Sequence, residues 1–366
     1  RNGDASRVNS SGIIVTEGAN LPRINYENGC GSWLLEPQST NIIPYSTDFS
    51  TWLYGSDGFP NNMTRVDGQS SPDGGTNSSL FTRNSGTNGF FGYGNSTVVL
   101  GNTYTYSIFI KKGTSSTFQI NNVSNSPQSK VIYNIDTDTF TQESNASGKA
   151  VNFGDGWYRL SMTYEHTNTN GSVSQVRNYL GDGESMYVFG SQLEEQSFAT
   201  SYIPTLGASS TRLQDLATGS GNSTLINSTE GVLYAEIAAL ADGTTNNRIS
   251  LSYNHQNYVR IAMSNSQISF SVFNNGAYQT NSNYIVSNIT DFNKIAVKYK
   301  ENDFALWVNG TEVRTDTSGL TSFAAPLDHL NFSNANGNNQ IFKGKVKLVA
   351  VFPILTDAEL TCLTKK

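Results

Sequence analysis

Apolar and polar residues alternate over short stretches along most of the chain, the signature of half-buried β-strands. Tyr104, Tyr106, Ile108 and Ile110 alternate with Thr105 and Ser107 in a strand that ends at Lys111-Lys112-Gly113. Residues 131–135 and Thr139-Phe140 flank Asp136-Thr137-Asp138 as a hairpin, and residues 157–162 read as a further strand. Over 187–204, Tyr187, Phe189 and Leu193 form an alternating apolar set, and Glu194-Glu195 mark an exit into solvent. Tyr202-Ile203-Pro204 ends that stretch, because proline has no N–H to give a ladder. It predicts the closing strand of one sandwich. In the second half, Ile249/Leu251/Tyr253, Val259/Ile261/Met263 and Ile268/Phe270/Val272 alternate, with a tight turn at Asn274-Asn275-Gly276. Ile295, Val297 and Tyr299 are expected to pair with Phe304, Leu306 and Val308, and Asn309-Gly310 makes the next turn. Residues 345–351 form a final strand. Thr356-Asp-Ala-Glu359 then reads as a capping box opening one short helix, with Leu360 and Leu363 facing inward.

Length and composition turn these strands into an architecture. A chain of 366 residues is long for one sandwich and suits two domains of about 150–180 residues each. We place them at 45–205 and 222–366, joined by a polar linker at 206–221. An extended segment, 1–44, precedes them, kept from helix by Pro22, Pro37 and Pro44. The apolar share of 36% is low, yet aromatics reach 11%, which argues against disorder and for many short strands with polar outer faces. The expected fold class is therefore all-β: two antiparallel jelly-roll or β-sandwich domains in tandem behind the extended segment. Net charge is −6 with no block of like charge, which argues against nucleic acid as a partner. No apolar run approaches the roughly 18 residues of a membrane helix, so membrane insertion is not expected. The chain opens on Arg1, which reads as a processed or excised fragment. Cys30 and Cys362 are expected to be free, buried thiols, with a bridge between them left open.

Several motifs carry a resemblance. Gly190-x-Gln192-Leu193-Glu194, followed by Phe198-Ala199-Thr200-Ser201-Tyr202-Ile203-Pro204, resembles the ending of a jelly roll found in bacteriophage tail and virion proteins and related to carbohydrate-binding modules. The leader Arg7-Val8-Asn9…Asn20-Leu21-Pro22-Arg23…Leu34-Leu35-Glu36-Pro37-Gln38-Ser39-Thr40-Asn41 resembles the segment that precedes it, except that Ser39 stands where arginine is usual. Tyr45-Ser-Thr-Asp-Phe49-Ser-Thr-Trp52 and Gly154-Asp155-Gly156-Trp157-Tyr158-Arg159-Leu160 are similar to the same module. The run 294–313 looks like the central hairpin of laminin-G or concanavalin A-like sandwiches. The resemblance implies a non-enzymatic phage protein of a tail or head fibre, at the virion surface and extracellular. It would bind a polysaccharide or glycoprotein glycan beside other virion subunits, as a homo-oligomer, a trimer being one option. Two rivals stay open: structural virion decoration without glycan binding, and a bacterial adhesin or carbohydrate-binding appendage of a polysaccharide-degrading enzyme.

Catalytic chemistry is not expected. His166, His255 and His329 have no partner at a recognisable spacing, and no nucleophile elbow, His-Glu-x-x-His or phosphate loop occurs. The paired carboxylates of concanavalin-like glycosidases, about 5 Å apart for retaining hydrolysis, have no counterpart, since adjacent Glu194 and Glu195 would point to opposite faces. Asn134-x-Asp136-x-Asp138 resembles part of a calcium loop but lacks its glycine and distal glutamate, so a polar hairpin tip is preferred. Asp155 and Asp182 read as turn residues; no cofactor is certain, and a structural calcium stays open. A sugar site combines an exposed aromatic platform with amides. The candidates are Phe90, Phe91 and Tyr93 among glycines, with an ordinary half-buried strand as the competing reading. Tyr54 and Tyr258, the latter beside Asn254, His255 and Asn257, are loop candidates. Trp307 faces away from Phe304, Leu306 and Val308, towards either an open outer sheet face or a second buried layer; Trp52 is expected in the core.

Overall fold

The computed structural model describes residues 1–56, 59–60, 62–86, 89–169, 173–243, 247–335 and 339–366. The chain is all-β, built of antiparallel sheets, and its α-helix among the described residues is Asp357–Thr364. It divides into two units: Arg1–Gly31 with Gln38–Leu213, and Ser32–Pro37 with Gln214–Lys366. The expected leader 1–44 is thus shared between the units, and the expected linker 206–221 is split at residue 213.

In the first unit the alternating strands make a two-sheet sandwich. One sheet runs Thr139–Ser144, Ser129–Asn134, Thr117–Asn122, Val173–Leu180, Phe90–Thr97, Leu53–Ser56 and Phe59–Pro60. The other runs Ser147–Gly154, Trp157–Glu165, Thr103–Lys112, Ser185–Glu194, Ser78–Arg83 and Met63–Gln69. Tyr104, Tyr106, Ile108 and Ile110 point into the core between them, as their alternation predicts, and Trp52 joins them beside Phe49. Phe81 and Phe91 stack there with ring centroids 4.0 Å apart. Each such fully buried aromatic contributes about 1.5–3 kcal/mol by leaving water.

The strand Ser185–Glu194 departs from its predicted alternation. Phe109 pairs with Phe189 but Ser107 pairs with Gln192, so one extra residue is inserted and the facing of side chains switches. Leu193 therefore enters the main core, whereas Tyr187 and Phe189 pack on the outer side with Ile14, Phe109, Trp157 and Tyr202. Gly190 makes this bulge with φ +60°; a Cβ there would lie 3.0 Å from Phe109 and 3.2 Å from Tyr202.

Glu194 is a correction to the sequence expectation. It does not exit into solvent but is fully buried, accepting from Ser39 Oγ at 2.7 Å, from the Thr200 backbone N–H at 3.1 Å and from the Thr200 hydroxyl. Asn41, also fully buried, donates through Nδ2 to the carbonyls of Ser191 and Ile203 and accepts through Oδ1 from the N–H groups of Ile43 and Leu193. Gln192 accepts from Ile203 N–H, Arg159 donates to Thr200 O, Ser6 Oγ donates to Tyr202 O, and Arg23 donates to Ser201 Oγ. Residues 200–205 lie outside any named strand, so side chains supply these backbone partners.

In the second unit one sheet runs Thr311–Asp316, Phe304–Val308, Asn293–Lys300, Glu230–Ala239, Gly344–Phe352 and Ser32–Leu35. The last of these pairs Leu35 with Gly344 and Trp33 with Val346. Residues 36 and 215 secure it: Glu36 N–H donates to the Asp215 carboxylate and Asp215 N–H to Glu36 O. The facing sheet runs Ala277–Ile285, Gln267–Asn274, Asn257–Ser264, Asn247–Asn254 and His329–Asn331. Asn275-Gly276 (φ +51° and +81°) and Asn309-Gly310 (φ +51° and +88°) form the expected tight turns. The helix Asp357–Thr364 begins with the expected capping box, Thr356 and Glu359 bonding each other's backbone N–H. Both cysteines are free; they are exposed rather than buried as expected.

Replacing Asn41 with Ala strands two carbonyls and two N–H groups and should destabilise the first unit by about 3 kcal/mol. A lowered denaturant midpoint for the first unit's transition checks this, with Thr40→Ala, whose bond to Thr211 is exposed, expected within about 0.5 kcal/mol of the parent.

Candidate functional site

Strand alternation gives the five-stranded sheet of the second unit two different faces. Ile249, Leu251, Val259, Ile261, Met263, Ile268, Phe270 and Val272 fill the core. Their neighbours Arg248, Ser250 and Ser252, then Tyr258, Arg260 and Ala262, then Ser269, Ser271 and Phe273 project the other way. Register aligns these outward residues in rows. Ser252, Tyr258, Phe273 and Tyr278 form one row; Ser250, Arg260, Ser271 and Asn281 form the next; Arg248, Ala262, Ser269 and Asn283 form a third. A register shift between Val272 and Phe273 brings Tyr278 opposite Phe273.

The first row is an aromatic ladder. Tyr258 and Phe273 stack with centroids 5.2 Å apart and planes at 17°, and Tyr278 meets Phe273 edge-on at 4.7 Å. Burial falls along it: Tyr258 is buried, Phe273 half-buried and Tyr278 54% exposed. The second row adds a guanidinium, Arg260, whose Cζ lies 4.6 Å over the Tyr258 ring. Residues 333–335 border the face: Ser250 Oγ donates to Ser333 O, Ser252 Oγ to Ala335 O, and Arg260 reaches Asn334 Oδ1 at 3.5 Å. Burial, opposed by the Arg260 charge, raises the Tyr258 phenol to about 12, with a hydrogen bond to Tyr278 adding to the rise. Burial, and next the charge of Arg260, hold Arg248 below the usual arginine range.

Of the residues singled out from sequence, Tyr258 belongs to this face, though it is a buried strand residue rather than a loop one. Trp307 is not on an open face. It faces away from the main core as alternation predicts, but is buried with Val232, Tyr234, Ala296 and Ala305 under Leu360 of the helix. Phe91 is a core residue stacked on Phe81, and Tyr93 is half-buried beside Trp52 at 6.1 Å. Phe90 does lie on an outer face, that of the first unit's sheet, but Arg177 covers its ring at 4.2 Å and leaves it 6% exposed. Those aromatics are therefore not an exposed platform: strand pairing buries Phe91, and a guanidinium occupies the stacking face of Phe90. The side chain of Tyr54 lies outside the described residues. Sequence reading missed Phe273, Tyr278, Arg248 and Arg260, although one signal was available: residues 243–290 contain no Asp or Glu.

The polar motifs are engaged in turns. Asn134 Oδ1 accepts from the N–H groups of Asp136 and Thr137, Lys112 pairs with Asp136, and Asp138 accepts from the Tyr133 hydroxyl. Asp155 pairs with Lys111 and Asp182 accepts from Gly86 N–H. His166 is buried, His255 exposed, and His329 bonds Asp328. Among the described residues no group of three or more His, Cys, Asp or Glu is placed to hold a metal ion.

No protein-family model matches the chain, and no curated protein matches it in sequence. Solved structures similar to it include the CBM40 of Ruminococcus gnavus IT-sialidase (13% identity, 40% of this chain and 94% of that one, TM-score 0.29). Domains LG4-5 of the mouse laminin α1 chain match at 12% identity over 80% of this chain and 89% of that one, TM-score 0.29. Sheep galectin-11 in complex with glycerol matches at 10% identity over 38% and 100%, TM-score 0.25. Scores this low transfer nothing from those proteins to this chain.

The Tyr258 phenol holds its proton more tightly in the folded chain than the value of about 10 expected unfolded. Its contribution to stability is thus full below pH 10 and lost as pH rises through about 12. An ultraviolet difference titration of the parent against Tyr258→Phe should show one phenol missing near 12, and the variant should lose less stability across that window.

Proposed function

We propose that the protein is a non-enzymatic glycan-binding component of a phage virion, part of a tail or head fibre acting at the virion surface. The aromatic ladder ending at exposed Tyr278 carries this reading, because Asn281 stands in the row next to its rings and Asn283 in the row beyond. A pyranose is apolar on its ring faces and hydroxylated at its edge. A row of rings with asparagines further along the same strand offers both halves of that chemistry on a rigid sheet. The same face argues for binding over hydrolysis, since residues 243–290 bring no carboxylate to serve as acid, base or nucleophile. The virion setting is supported by the leader and by the Phe198-Ala199-Thr200-Ser201-Tyr202-Ile203-Pro204 ending, which resemble those of phage structural proteins. A shallow single site of this kind suits a repeated assembly, in which linked weak sites gain strength together.

The full chain on a glycan array tests this. We expect binding that Tyr278→Ala weakens at least tenfold, about 1.4 kcal/mol, while the variant keeps the parent's melting temperature. Binding that Tyr278→Ala leaves unchanged would remove the face from the proposal. A folded chain that binds no glycan would favour structural decoration.

A further inference from the structure

The same sheet face carries two guanidiniums and no carboxylate to neutralise them. Arg260 is 8% exposed and, among the described residues, reaches Asn334 Oδ1 at 3.5 Å. Arg248, one row away, has a buried Nε with no hydrogen-bond partner. Burial, and next the charge of Arg260, act against the charged form of Arg248. No Asp or Glu occurs over residues 243–290, which supply four of the five strands, although the chain holds 29 acidic residues and a net charge of −6. Residues 332–343 contain none either, and Asp328 is engaged by His329. Half-buried cations facing each other without a counter-charge are costly, and arginine's planar fork matches an oxyanion. Arg159 of the first unit, by comparison, donates to Thr200 O and Ser107 Oγ.

We infer that the glycan held on this face is acidic, with a carboxylate or sulfate oxyanion seated between Arg248 and Arg260 while its ring lies along Phe273 and Tyr278. This rests on the glycan reading of the face and adds its chemical class. The anion supplies an acceptor for Arg248 Nε and offsets the repulsion between the two arginines. Carboxylate and sulfate share this chemistry, so the test separates them.

Titration calorimetry of the full chain against dextran, dextran sulfate and polygalacturonate, at one ionic strength, decides it. At least one acidic polymer should bind tenfold or more tighter than dextran, and which one does identifies the oxyanion. Arg248→Gln should weaken that binding tenfold or more; Arg260→Lys should weaken it too, keeping the charge but losing the fork. Because Arg260 packs on Tyr258, a second readout avoids dependence on its variant: sulfate should raise the melting temperature above chloride at equal ionic strength, and Arg248→Gln should abolish that rise. Dextran bound as tightly as the acidic polymers, with Tyr278→Ala abolishing and Arg248→Gln sparing it, overturns the acidic class and leaves glycan binding intact. Acidic binding indifferent to Arg248→Gln overturns the arginine seat. No binding and no sulfate effect overturns both readings.

Discussion

A buried carboxylate governs the first unit. Among the described residues, Glu194 is met by three donors from Ser39 and Thr200. A buried charge is tolerated only when it is fully hydrogen-bonded, so its presence forces residues 39, 194 and 200 together. Asn41 extends the constraint, tying residues 43, 191, 193 and 203 through one side chain. The leader, the bulged strand and the closing segment are thereby one hydrogen-bonded system.

This system shows why sequence reading succeeded in some places and failed in others. Local rules found what local chemistry decides: the Asn-Gly turns, the Thr356 capping box, the hairpin around residues 301–303 and the inward face of 104–110. Glu194 was misread because its burial depends on a serine 155 positions earlier, which no pattern over a few residues reports. Gly190 hid the bulge that switches the facing of Leu193, since a glycine has no side chain to betray its parity. Trp307 was assigned the correct side of its strand, but what covers that side is a helix some 50 positions later.

The candidate face was legible only in part for the same reason. Tyr258 could be named from composition alone, whereas its neighbours Phe273 and Tyr278 follow from strand register and an irregularity beside Phe273. Electrostatics gave a clue on a longer scale. An acidic chain that withholds every acid from four consecutive strands leaves arginines where nothing intramolecular balances them. Arginine consequently has two uses here: Arg23 and Arg159 close the fold from within, and Arg248, beside Arg260 on the outer side of a sheet, keeps a buried Nε without an acceptor among the described residues.

The strand Ser32–Leu35 joins the second unit although the chain then returns to complete the first. Neither unit is a contiguous piece of sequence. During synthesis, residues 32–37 leave the ribosome early but pair with Gly344–Phe352, which emerges more than 300 positions later. A nascent chain must therefore wait for its Gly344–Phe352 partner until those 300 positions have been made. A gene cut at residue 213 would deliver a second unit without the strand Ser32–Leu35, and that strand without Gly344–Phe352 to pair with.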